Sequence, residues 1–158
     1  MSQIPDVRKT VVVQATPQQC FRVFVEHPMD WWPPSHVLLK QPRVALAFES
    51  GVGGRYYESD ADGNQIDWGR IIAWNPPHGL TMTWRVDGRW QSIDNDDAAS
   101  EIEVSFRPLT EGTTQVELAH VKLHRHGDDA PFIHRALDGP SPGETLELFA
   151  KAIVARVG

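Results

Sequence analysis

Apolar positions along the chain alternate between two periods. Residues 7–14, VRKTVVVQ, are β-branched and alternate with polar positions, the pattern of a strand with one covered face. In ATPQQCFRVFVE the period changes, and Cys20, Phe21, Phe24 and Val25 recur at helical spacing. Thr16 can cap this stretch, Pro17 suits its first helical position, and Gln19 stands where a capping-box partner belongs. A short helix is therefore predicted to about Glu26. HPMDWWPPSH breaks it, because paired prolines hold the chain extended or turned.

From residue 43 onward the two-residue period dominates. RVALAFE, GRYYES, QIDWGRIIAW, LTMTWRV, SEIEVSFRPL and TTQVELAHVKLH read as strands, punctuated by SGVGG, DADGN, NPPHG, DNDDA and TEG. Connections this short join antiparallel neighbours. HGDDAPFIHRALDGPSPG reads as a longer loop with one helical turn near Phe132 to Leu137. The last segment, SPGETLELFAKAIVARVG, returns to the helical period. Leu146, Phe149, Ala150, Ile153, Val154 and Val157 form its apolar stripe, while Glu147 and Lys151 pair on the wet side. Ser141, Pro142 and Glu144 supply a capping box with proline at the first position.

These elements predict an α+β fold in a single domain, 1–158: a curved antiparallel sheet of about seven strands wrapped around a long C-terminal helix. The short N-terminal helix closes one end. A strongly curved sheet leaves a hollow beneath the helix it grips, and such hollows hold small molecules.

Composition narrows the function classes. The net charge of -6 repels phosphate backbones and anionic bilayers, so neither nucleic acid nor a membrane surface is an expected partner. No apolar run approaches the roughly 20 residues of a transmembrane helix. The opening MSQIPDVRKT lacks the apolar centre of a signal peptide, and the lone Cys20 suits a reducing compartment, so the expected location is cytoplasmic.

The ordered series WWPPSH, FESGVGGRYYESDADGNQIDWGRIIAWNPPHGLTMTW and SEIEVSF…TTQVELAHV resembles the START-like, or SRPBCC, superfamily. The likeness covers roughly residues 8 to 124 and is strongest to the branch similar to the C-terminal domain of heat-shock-protein-90 ATPase activators. It implies a helix-grip fold with an inner cavity for apolar small molecules, in a family of carriers, polyketide cyclases and co-chaperones. It implies no shared catalytic motif. Where relatives have a tryptophan-containing Gly-Gly turn before the last helix, this chain has DGPSPGE, which alters the expected mouth of the cavity.

Strand alternation then assigns faces. Arg55 is nearly free to expose, which turns Tyr56 and Glu58 inward and leaves Tyr57 outward. The same rule puts Leu80, Met82 and Trp84 inside, with Thr81, Thr83 and Arg85 outside. It also directs Ile102, Val104 and Phe106 inward, and Val116, Leu118 and His120 likewise. On DWGRII it turns Gly69 and Ile71 inward, with Asp67 near the same wall and Trp68 outward. Phe149 faces this wall from the last helix, and Trp31 and Trp32 stand at the expected opening. Glu58 and His120, with Asp67 as a third candidate, are thus the ionisable groups of an apolar lining. They can orient a hydroxyl or carbonyl, or move a proton; the competing reading makes them a strand-end carboxylate and a hydrogen-bonded core histidine.

Other chemistries have thinner support. His120 and His124 would stand about 13 Å apart on one strand, and His124 with His126 and Asp128 lack any established metal spacing, so no metal and no cofactor is expected. No Gly-x-Ser-x-Gly occurs, Cys20 lies on an apolar helix face, and the GVGG glycines precede a strand and so cradle no phosphate.

The leading reading is a binding protein for an apolar or aromatic small molecule. The alternative is an acid–base enzyme of polyketide cyclase or dehydratase type using the same cavity. A third is a co-chaperone-like module with an outer patch including Trp68 and Tyr57; the chain lacks the extra N-terminal domain of full-length activators, which weighs against chaperone contact. The sheet's outer face also offers a surface for a homodimer.

Overall fold

The structure is a computed structural model that describes residues 5–32, 43–87, 91, 93, 99–137 and 140–157. The strands are β1 (Val7–Val13), β2 (Arg43–Phe48), β3 (Arg55–Asp60), β4 (Gln65–Asn75), β5 (Gly79–Trp84), β6 (Ser100–Thr110) and β7 (Thr113–Val121). They form one antiparallel sheet in the order β1-β7-β6-β5-β4-β3-β2. Helix α1 (Pro17–Glu26) connects the two edge strands, and α2 (Ala130–Leu137) and α3 (Pro140–Val157) follow β7. α3 packs on β1, β7 and α1. This is the expected helix-grip.

Local chemistry explains the first helix well. The Gln19 N–H donates to Thr16 Oγ1 at 3.2 Å, and the Thr16 N–H donates to Gln19 Oε1 at 2.9 Å, so both arms of the capping box form. Cys20, Phe21, Val23 and Phe24 then point into the core. α3 begins at Pro140, just before the expected cap, and the side chains of the expected Ser141–Glu144 box lie outside the described residues.

Two elements depart from the sequence reading. β7 ends at Val121, short of the expected His124, because Lys122 takes a left-handed conformation (φ 59°) and a 3-10 segment begins at Leu123. The region expected to be a loop with one helical turn forms two turns of helix in α2. The 3-10 segment folds back on the start of β6. There Lys122 and Arg125 pair with the buried Glu101 at 3.2 and 3.0 Å, and His126 Nε2 lies 2.8 Å from Ser100 Oγ.

β4 carries two of the sheet's irregularities. Its register slips twice, between Tyr56/Tyr57 on the β3 side and between Ile71/Ala73 on the β5 side, so Trp68 and Ile72 are extra residues. Each bulge bends the strand and shifts which side chains face inward. Gly69 sits at the first bulge because nothing larger fits there. A Cβ on it would lie 1.9 Å from Thr83 O and 2.7 Å from Tyr56 Cε1. The Tyr56 ring covers the glycine, and its hydroxyl donates to the Thr83 carbonyl beyond. Gly69→Ala is expected to cost about 3 kcal/mol of stability in urea unfolding, since both obstacles belong to packed structure; an unchanged midpoint would contradict this close approach.

Candidate functional site

The concave face of the sheet and the inner faces of α1 and α3 meet in an aromatic interior. Phe24 of α1 stacks on Trp31 with ring centres 4.4 Å apart, and Phe149 of α3 meets Trp31 edge-on at 5.9 Å. Trp31 touches Trp32 at 5.5 Å, and Trp32 touches Trp68 at 5.0 Å. Phe48 stacks on Tyr56 at 5.3 Å, and Phe106 meets Phe149 at 6.3 Å. A continuous chain of rings thus runs from α3 to β4. Trp32 is half-buried, so this chain reaches the surface there.

Glu58 stands at the inner end of that chain. It is 0% exposed, and its Oε1 accepts a 2.8 Å hydrogen bond from Trp68 Nε1. A carboxylate taken fully out of water needs donors, and an indole N–H fixes its orientation. The buried Arg85 guanidinium lies near enough to act on the Tyr56 phenol, where its charge partly opposes the upward pKa push of burial.

His120 lies elsewhere on the curved wall. On β7 it pairs in register with Ile102 of β6 and Val7 of β1, and its ring meets Trp84 edge-on at 4.8 Å. Burial, with a smaller contribution from the His126 charge, lowers its pKa from 6.5 to about 3. It is therefore a neutral imidazole at ordinary pH. Four strand spacings separate β7 from β3, about 19 Å along the sheet, so Glu58 and His120 are separate polar points rather than a hydrogen-bonded dyad.

The other sequence-derived positions divide. Ile71, Met82, Trp84, Phe106, Leu118 and Phe149 are all buried in the interior. Asp67 is not with them: it pairs at 3.0 Å with Arg55, whose guanidinium lies over the Tyr57 ring on the outward side. The bulge at Trp68 is the reason, since an extra residue reverses the alternation on that part of β4. The same shift buries Trp68, expected to be outward, and removes it from any outer patch with Tyr57. Thr83 and Arg85, also expected outside, are buried as well. The one sequence mark of this reversal is Gly69 inside a strand pattern, a common sign of a bulge or close approach.

Cys20 is fully buried, with burial pushing its thiol up to about 11 against a hydrogen bond with Thr114. Such a thiol is no nucleophile. Among the described residues no group of three His, Cys, Asp or Glu side chains is arranged to hold a metal ion, and no helix is long and apolar enough to cross a membrane.

The family described as activator of Hsp90 ATPase homolog 1-like protein matches residues 14–136. The chain belongs to this family. Among solved structures, an anthrahydroquino-gamma-pyrone synthase, Txn09, complexed with SUM, is 67% identical over 94% of this chain and 97% of its own, with a TM-score of 0.66. CalC from Micromonospora echinospora, described as a self-sacrificing resistance protein, is 28% identical over 96% of each chain at a TM-score of 0.68. The Aha1 dimer from Colwellia psychrerythraea, 13% identical with a TM-score of 0.61 over 96% of this chain and 98% of that one, shares the fold alone. No curated protein matches the chain.

Proposed function

We propose that the protein closes an oxygen heterocycle on a polycyclic aromatic substrate of anthrahydroquinone type, using the interior beneath α3 and general acid–base catalysis by Glu58. The observation that carries this reading is the 67% identity to a gamma-pyrone synthase over nearly the whole chain, together with a fully buried carboxylate at the end of an aromatic wall. Flat rings suit such a wall because offset and edge-on contacts are available on several sides.

The reaction class needs little more than proton traffic. A ring phenol oxygen attacks a ketone carbon of a 1,3-diketone side chain, forming the C–O bond as its proton passes to Glu58. The former carbonyl oxygen takes up two protons in turn, matching the one given up by the phenol and the one lost by the adjacent carbon, and leaves as water as the pyrone double bond forms. Atoms balance with water as the sole by-product. Glu58 serves as the proton acceptor and then as donor.

The test is direct. Purified protein mixed with an anthrahydroquinone bearing a 1,3-diketone side chain, kept reduced under anaerobic conditions, is expected to release the pyrone faster than buffer does. No acceleration despite demonstrable binding would overturn the enzymatic reading and leave the second one, a sequestering role without turnover. The likeness to CalC, a resistance protein, favours that second reading.

A further inference from the structure

Two buried side-chain nitrogens in the described core have no hydrogen-bond partner: Trp31 Nε1 and His120 Nε2. Both side chains are 3% exposed. Neither deficiency follows from the fold. The rings of Phe24, Trp32, Phe48 and Phe149 stand around the Trp31 indole, and none of them offers its N–H an acceptor. His120 is flanked by Val7, Ile102 and the edge of Trp84. Leaving such an atom unpaired is costly, and native cores rarely leave one without a reason. The other buried polar groups here are satisfied: the Tyr56 hydroxyl by Thr83 O, and the Trp68 N–H by Glu58.

The two side chains also stand at different places in the interior. Trp31 packs against Phe48 of β2, and His120 is on β7, at nearly the opposite end of the strand order. We propose that Trp31 Nε1–H and the His120 imidazole are the polar anchors of the ligand, each hydrogen-bonding an oxygen at a separate end of an oxygenated polycyclic aromatic. This rests on the reading of the interior as the substrate site and adds the contacts that select for oxygen substituents. Trp31 donates to a carbonyl or hydroxyl oxygen near α1, and His120 bonds a second oxygen near β7. An indole donor and a neutral imidazole discriminate by chemistry what stacking rings do not, because an analogue without oxygen leaves both unpaired.

Equilibrium dialysis with 1,8-dihydroxyanthraquinone and with anthracene separates the contributions of oxygen and ring. Wild-type protein is expected to bind the dihydroxyanthraquinone at least tenfold more tightly. Trp31→Phe and His120→Phe keep an aromatic ring at each position, and each is expected to weaken dihydroxyanthraquinone about tenfold while anthracene binding stays within twofold. Equal binding of both compounds by wild type would overturn the inference. So would variants that bind dihydroxyanthraquinone as wild type does, the result if water satisfies these atoms, or variants that lose both compounds alike. In each of these cases the pyrone-forming assay stands on its own; wild type binding neither compound would sink both proposals.

Discussion

Glu58→Gln is expected to lower the rate of ring closure by about 10²–10⁴, the usual range for a positioned general acid–base group. The substitution is nearly isosteric and retains an acceptor oxygen for the Trp68 N–H, which now lies 2.8 Å from the carboxylate. Packing around a residue that is 0% exposed is therefore kept. What disappears is the ability to take a proton from the attacking phenol and return one to the departing hydroxyl. Affinity for substrate is expected to change little, so the loss falls on kcat rather than KM. Single-turnover kinetics with the reduced diketone substrate, alongside circular dichroism to verify the fold, measure it. A glutamine variant turning over at the wild-type rate would take Glu58 out of the mechanism.

The second large effect is on stability in acid. His120 has a folded pKa lowered from 6.5 to about 3, chiefly by burial. Above pH 6.5 both folded and unfolded chains carry it neutral, and nothing is lost. Below that value the unfolded state takes up a proton that the folded state refuses. Stability then falls by about 1.4 kcal/mol per pH unit until the folded pKa is reached. Between about pH 6.5 and 4.5 the loss is roughly 3 kcal/mol, a large share of the 5–15 kcal/mol typical of a domain. His126, also lowered by burial, adds to the same slope, with Asp129 and Asp87 opposing it. Urea unfolding across this range is expected to give a markedly flatter profile for His120→Phe than for wild type. Parallel profiles would mean that His120 titrates in the fold as it does in the unfolded chain.

The parts of this structure that could be read in advance are those whose causes are local. Thr16 and Gln19 dictate a helix start by their own two hydrogen bonds, and Pro17 suits its first position. Period-two alternation placed Tyr56 and Glu58 inside, because exposing Arg55 costs little and exposing Tyr56 forfeits burial. The failures are tertiary. Asp67 and Trp68 exchanged faces because β4 inserts a residue opposite β3, where the Tyr56 ring must pass over Gly69 to reach the Thr83 carbonyl. No alternation rule contains that contact. The end of β7 is set by tertiary contacts too: HVKLH alternates acceptably, yet Arg125 and His126 find partners on β6 only if the chain turns at Lys122.

The indole N–H signals of the tryptophans offer the most direct check that an aromatic substrate enters beneath α3 beside Glu58. In a ¹⁵N-labelled sample titrated with 1,8-dihydroxyanthraquinone, the Trp31, Trp32 and Trp68 signals are expected to move together and saturate at one equivalent. If they stay fixed while backbone signals shift only at the outer depression formed by Asp30, Lys151 and Arg156, the ligand binds outside and the interior site does not exist.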